Sequence, residues 1–233
     1  MIRVSQSYGY GDDNRYNIDQ VTNNIQLAIY KYDIYNEKKE KIFNDIIQNK
    51  INVNVVHLPL DTLKINHNLT LSMITNFYDI LKCTKFVIHP NKGIKDYLTS
   101  FVNIVTNENI NLCIETFAWK RNKVFRSPLE ICEVCSNPRF SMTIDTSHIE
   151  NIWFDYRIMN YLLQYTSVIH LSNRKGKEQH MPFNVDGGNL DLVKFVKDLK
   201  NQYNWGGDIV LEYMPDYSYK LKSNIAYINE LLK

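Results

Sequence analysis

Ser141-Met142-Thr143-Ile144-Asp145-Thr146-Ser147-His148 is the stretch from which the fold can be read. Its first part, Ser141–Asp145, is too short for a helix and apolar without a helical period, as expected of a strand buried on both faces. It ends in a carboxylate, and a histidine follows three residues later. The same form recurs on either side. Val53–Leu58 carries His57, Phe86–His89 ends on His89, Leu112–Glu115 ends on Glu115, Val168–Leu171 carries His170, and Ile209–Glu212 ends on Glu212. Ile2–Val4 and Ile25–Tyr30 are two further apolar runs. Segments of helical period lie between them: Glu37–Gln48, Thr70–Leu81, Lys95–Thr106, Pro128–Cys135, Tyr156–Gln164 and Leu190–Gln202, with Leu221–Leu232 closing the chain. Leu192, Phe195, Val196 and Leu199 share one helical face, with Lys194, Lys197, Asp198 and Lys200 opposite. Ser127-Pro128 reads as an N-cap followed by proline at the first helical position. Only the first crossover, Tyr16–Thr22, is short and polar for a helix.

Eight strands alternating with helices in 233 residues is the arithmetic of an α/β chain folded as a single (β/α)8 TIM barrel, residues 1–233 forming one domain. A doubly wound open sheet would advertise a glycine-rich first turn, and no GxGxxG is present. Lys+Arg 27 against Asp+Glu 25 gives a net charge of +2, so no overall field recruits nucleic acid or an anionic membrane. No run approaches the ~18 apolar residues that span a bilayer, and the first residues lack a signal-peptide core. Four cysteines are too sparse for a disulfide scaffold. The expectation is a cytoplasmic protein without a membrane partner.

In a parallel barrel all strand C-termini open on one face. His57, His89, Glu115, Asp145, His148, His170 and Glu212, with Glu178 and His180 from the loop after His170, would therefore converge on one mouth. A lone strand-end histidine is ordinarily a hydrogen-bonded core residue. Ligand-type residues at six consecutive strand ends are not explained that way, and a buried carboxylate such as Glu115 or Glu212 is costly without a partner. A His/Asp/Glu set without cysteine suits a divalent metal ion such as Zn, Mn, Fe or Co. His67 lies outside the pattern and reads as a surface residue. Cys132-Glu133-Val134-Cys135 has no second pair to complete a zinc site and reads as packing.

Ile144-Asp145-Thr146-Ser147-His148, Ile169-His170-Leu171, His180 followed by Gly187-Gly188, and Leu211-Glu212 resemble the xylose-isomerase-like TIM-barrel superfamily, which holds sugar-phosphate isomerases/epimerases and the endonuclease IV (AP endonuclease family 2) enzymes. For the isomerase branch the resemblance implies one ion held by Glu115, Asp145, His170 and Glu212. Glu115 and Glu212 would be the catalytic pair, exchanging a proton beside a metal-bound carbonyl, and His148, with Arg174 or Lys175, would meet the substrate, a sugar or sugar phosphate. Trp119, just after the fifth strand, would by its position stand near the mouth, where an aromatic ring could stack on a sugar face. For the endonuclease IV branch it implies three zinc ions and abasic DNA. His57, His89 and Glu115 would make one site; Glu115 would bridge to Asp145, His170 and Glu212; His148, Glu178 and His180 would make the third. Glu178 stands where that family has Asp. A third possibility is a metal-binding barrel with neither activity.

Balanced charge, the acidic Asp12 and Asp13 in the first loop, and the lack of an aromatic residue in Leu58-Pro59-Leu60-Asp61 favour a small substrate over duplex DNA. Two basic runs, Lys120-Arg121-Asn122-Lys123 and Arg174-Lys175-Gly176-Lys177, follow strand ends and are candidates for phosphate contact. The sequence expectation is thus an isomerase or epimerase carrying one to three divalent ions, Zn, Mn or Co.

Overall fold

A computed structural model describes residues 1–10, 21–116, 124–125 and 127–233. Trp119, the run 120–123, Asp12, Asp13 and most of the Tyr16–Thr22 crossover lie outside the described residues. The strands are β1 (Arg3–Tyr10), β2 (Asn24–Ile29), β3 (Asn52–His57), β4 (Lys85–Ile88), β5 (Asn111–Glu115), β6 (Phe140–Asp145), β7 (Thr166–Leu171), the short β8 (Asn173–Lys175) and β9 (Glu178–Met181), and β10 (Asp208–Leu211). The helices are α1 (Tyr32–Gln48), α2 (His67–Leu81), α3 (Ile94–Ile104), α4 (Pro128–Val134), α5 (Tyr156–Leu163), α6 (Leu192–Asn201) and α7 (Leu221–Leu231). Eight strands close a barrel in the order β1-β10-β7-β6-β5-β4-β3-β2, every pair parallel. This is the expected (β/α)8 TIM barrel. No described helix is long and apolar enough to cross a membrane.

Strand alternation sorts the core into two layers. Phe86 and Ile88, Leu112 and Ile114, Ile169 and Leu171, and Ile209 and Leu211 belong to the large cluster that includes the buried helix faces, while Val55, Val87, Cys113, Val168 and Val210 form a separate cluster. Successive side chains alternate between faces, so the residue two places on shares the inward face. Two places after Val55, Val87, Cys113, Val168 and Val210 come His57, His89, Glu115, His170 and Glu212. The polar set is therefore one layer above an apolar plug. At the opposite end Asp208 accepts from Arg3 Nε and Nη2 at 2.7 and 2.8 Å and from Lys85 Nζ at 2.7 Å, so charge there is paired off.

The helix faces follow their sequence periods. α6 buries Leu192, Phe195, Val196 and Leu199, and Asp191 caps it by accepting from the Lys194 N–H at 3.0 Å. Pro128 opens α4, but Ser127 makes no side-chain cap bond. The four cysteines are free and buried, so Cys132 and Cys135 are packing residues. Two features depart from the expected pattern. β1 continues through the buried polar Ser5, Gln6 and Ser7, where an apolar-run criterion stops at Val4. The loop after β7 forms an antiparallel hairpin, β8 with β9, between His170 and α6.

Candidate metal centre at the barrel mouth

Pairing register sets Asp145 level with His170 and staggers the other polar residues around the mouth. Ala28 pairs with His57, His57 with Val87, Glu115 with Thr143, Asp145 with His170, and His170 with Val210. Glu115 is the centre of the group. Its Oε2 lies 3.1 Å from both His57 Nε2 and His89 Nε2, while Oε1 faces His170 Nδ1 at 3.7 Å and His148 Nδ1 at 3.9 Å. His170 Nδ1 is 2.8 Å from Glu212 Oε2, and His148 Nδ1 is 2.9 Å from Asp145 Oδ2. His180 closes the far side, its ring edge-on to that of His148 at 5.0 Å. Among the described residues three groups have ligand atoms close enough to share an ion: His57/His89/Glu115, Glu115/Asp145/His170 and Asp145/His148/His180.

Burial would ordinarily keep such carboxyls neutral; the histidines reverse that. His89 and His170 hold the Glu115 carboxyl well below its usual range despite full burial. Asp145 is lowered below its ordinary value, against its own burial, by His148, and the half-buried Glu212, against its desolvation, by His170. In return, His89 is raised by Glu115 and His170 by Glu212 and Glu115, each against its burial. Burial opposes protonation of His148, yet Asp145, helped by Glu115 and Glu212, lifts its pKa to about 9. Metal-free, these carboxylates are balanced by protons on histidine.

Hydrogen bonding favours a cation over those protons. A neutral imidazole has one N–H. His57 Nδ1 is 2.9 Å from the Leu58 carbonyl, which only an N–H can satisfy, and that leaves the Nε2 lone pair facing Glu115. Asp145 Oδ2 and His170 Nδ1 are buried and make no aligned hydrogen bond, although a polar atom stands within 3 Å of each. Buried donor atoms such as Asp145 Oδ2 and His170 Nδ1, left without an aligned hydrogen bond, are ones a divalent ion would satisfy. The residues present fit such a group.

The outer residues behave differently. Glu178 is exposed and accepts a 2.6 Å bond from the Tyr217 hydroxyl, so Asp145, not Glu178, joins His148 and His180 in the third group. His180 has a left-handed backbone (φ 55°), a departure from extended geometry within β9. Arg174 donates to the Ser147 carbonyl at 3.3 Å and to Asn151 Oδ1 at 2.9 Å, and Lys175 to the Asp186 carbonyl at 3.2 Å. Neither lines the cavity, a space of ≈ 110 Å³ bounded by Ala28, Ile29, Tyr30 and Leu60 beside His57, His89, Glu115, His148, His180 and Glu212. Tyr30 was not foreseen as part of the wall. It packs so closely on Gly9 that a Cβ there would meet the ring at 2.6 Å. Gln26, also unforeseen, accepts from His170 Nε2 at 2.8 Å; a lone amide inside the run Ile25–Tyr30 was its signal.

The family described as "Xylose isomerase-like TIM barrel" matches residues 86–231, which include every residue of the group except His57. The chain belongs to that family. Among its relatives, a probable endonuclease 4 of Mycoplasmopsis agalactiae is 26% identical over 214 residues, covering 77% of this chain and 74% of the relative. Endonuclease IV from Thermus thermophilus superposes with a TM-score of 0.58 at 12% identity, covering 99% and 98% of the two chains. A probable 3-DHS dehydratase from Bacillus anthracis superposes with a TM-score of 0.61 at 13% identity, covering 89% of each. Xylose isomerase-like barrels thus share this architecture across unlike activities.

A pH dependence follows from His148. Its folded-state pKa, raised above the ordinary ~6.5, stabilises the metal-free chain fully below pH ~6.5, and that contribution is lost as pH climbs through about 9. Metal uptake must displace the proton. Zinc affinity is therefore expected to rise between pH 6.5 and 9, with proton release that shrinks above pH 9, as read by calorimetry in buffers of different ionisation enthalpy. Affinity independent of pH over that window would remove His148 from the ligand set.

Proposed function

We propose that residues 1–233 act as one barrel domain and that it is a multinuclear, metal-dependent phosphodiesterase cutting nucleic acid where a base is missing. The observation that carries this reading is the two-sided use of Glu115, with His57 and His89 on one carboxylate oxygen and His170 and His148 on the other. A mononuclear isomerase would hold its ion with Glu115, Asp145, His170 and Glu212 alone, whereas a multinuclear centre also uses the His57/His89 pair on the far oxygen as ligands. The 26% identical relative, described as a probable endonuclease 4, points the same way.

Divalent ions held there would supply Lewis-acid activation of water and neutralise charge on a phosphoryl group. The chain's own part is to hold Glu115 between two histidine pairs and to wall the cavity with Ala28, Ile29 and Leu60, which limits water beside the reacting group. Arg174, steadied on the rim by Ser147 and Asn151, keeps further guanidinium N–H groups for a flanking phosphate.

A second reading, the sugar or sugar-phosphate isomerase, is favoured by Glu212. It contacts His170 and lines the same cavity as Glu115, as a two-carboxylate proton transfer requires. The test is a duplex oligonucleotide with one stable abasic site, incubated with zinc-loaded protein. The phosphodiesterase reading expects a single nick beside that site, abolished by chelator and restored by zinc. An intact duplex, together with metal-dependent turnover of a ketose or its phosphate, would replace it with the second reading.

A further inference from the structure

Gln26 projects into the bore from β2 and reaches His170 on β7, a strand three places away around the barrel. The amide is fully buried, beside a layer of small apolar side chains, Val55, Val87, Cys113, Val168 and Val210. Gln26 pairs in register with Val55, one layer below the ligand residues. An amide so placed is costly unless its hydrogen bonds are made. Its oxygen lies 2.8 Å from His170 Nε2, and its nitrogen turns toward Ser7 Oγ at 3.5 Å, itself a buried polar residue of β1.

We propose that Gln26 is a positioning residue that fixes the tautomer and ring plane of His170, so that Nδ1 carries the lone pair presented between Glu115 and Glu212. The inference rests on the metal-centre reading above. With the amide oxygen facing Nε2, that nitrogen must be the N–H. The reverse tautomer would set an Nε2 lone pair against the Gln26 amide oxygen at 2.8 Å, acceptor against acceptor. The amide of Gln26 thereby has a role a hydrophobic residue of similar size could not fill: it determines which ring nitrogen is free to bind. A hydrogen bond to the second nitrogen of a metal-binding histidine also raises the basicity of the first and restrains ring rotation.

The test uses ¹⁵N-labelled, zinc-loaded full chain and reads the imidazole nitrogens of His170 by NMR. Nε2 is expected protonated, with a slowly exchanging proton, and Nδ1 metal-bound. Gln26→Leu is expected to lose that slow proton and to weaken zinc binding about 10- to 100-fold. Gln26→Glu, which keeps an acceptor, is expected to restore both. Metal bound through Nε2, or a Gln26→Leu chain that is folded by circular dichroism and keeps wild-type affinity, would overturn the assignment. Should Gln26→Leu fail to fold, the wild-type spectrum and Gln26→Glu still decide it. A wild-type chain that takes up no zinc would instead bring down the metal-centre reading itself.

Discussion

Glu115→Gln is expected to abolish turnover and to empty more of the site than any other single change. Glu115 is fully buried, and both its oxygens are committed, one to His57 and His89 and the other toward His170 and His148. An amide of the same shape keeps the volume and replaces one oxygen with an N–H₂ donor, which cannot ligate and is repelled by protonated histidine. Removing one partner of a buried charge group costs about 3–5 kcal/mol through the charges left behind. Loss of a hydrogen bond to an outer partner alone lowers metal affinity by ~10–100-fold, so loss of a shared ligand should exceed that and reduce metal content at two groups at once. The measurement is metal per folded chain with activity in parallel. Retention of full metal and substantial turnover would remove Glu115 from the centre.

His89→Ala separates the two functional readings. In the phosphodiesterase reading His89 and His57 hold an ion of their own with Glu115, so the change is expected to release about one metal equivalent and lower turnover by at least ~100-fold. In the isomerase reading the residues holding the single ion are untouched, and turnover should fall only a few-fold. The edge-to-face packing of His89 on His57 at 4.8 Å means that the alanine also frees the neighbouring ring. His57→Gln, which keeps an acceptor–donor side chain, is the companion variant. If His89→Ala leaves metal content and activity unchanged, the multinuclear account is wrong.

The barrel and most of the mouth could be read from the sequence because both depend on local pattern. Short apolar runs that carry His57 or His170, or end in Glu115 or Asp145, are strands whose inward face is set by a period of two, and parallel closure then places their ends together. What could not be read depended on tertiary partners. Ser5, Gln6 and Ser7 look like a loop because polarity usually means exposure; they are buried because the bore supplies partners, as when the Ser5 hydroxyl donates to the Ile209 carbonyl at 3.3 Å. Gln26 and His170 are 144 residues apart, and no local pattern links them. Glu178 satisfies the family's motif by position, yet a bond from Tyr217 on a distant turn holds its carboxylate elsewhere. Arg174 and Lys175 likewise follow the right strand, but the β8–β9 hairpin carries them to the rim.

The central claim is that this barrel mouth holds more than one metal ion around Glu115. Elemental mass spectrometry on tag-free protein, purified without chelator and normalised to chain concentration, tests it most directly. The account predicts between two and three equivalents, predominantly zinc, falling to one or none in Glu115→Gln. A single equivalent in the wild type, unchanged by His89→Ala, would contradict it.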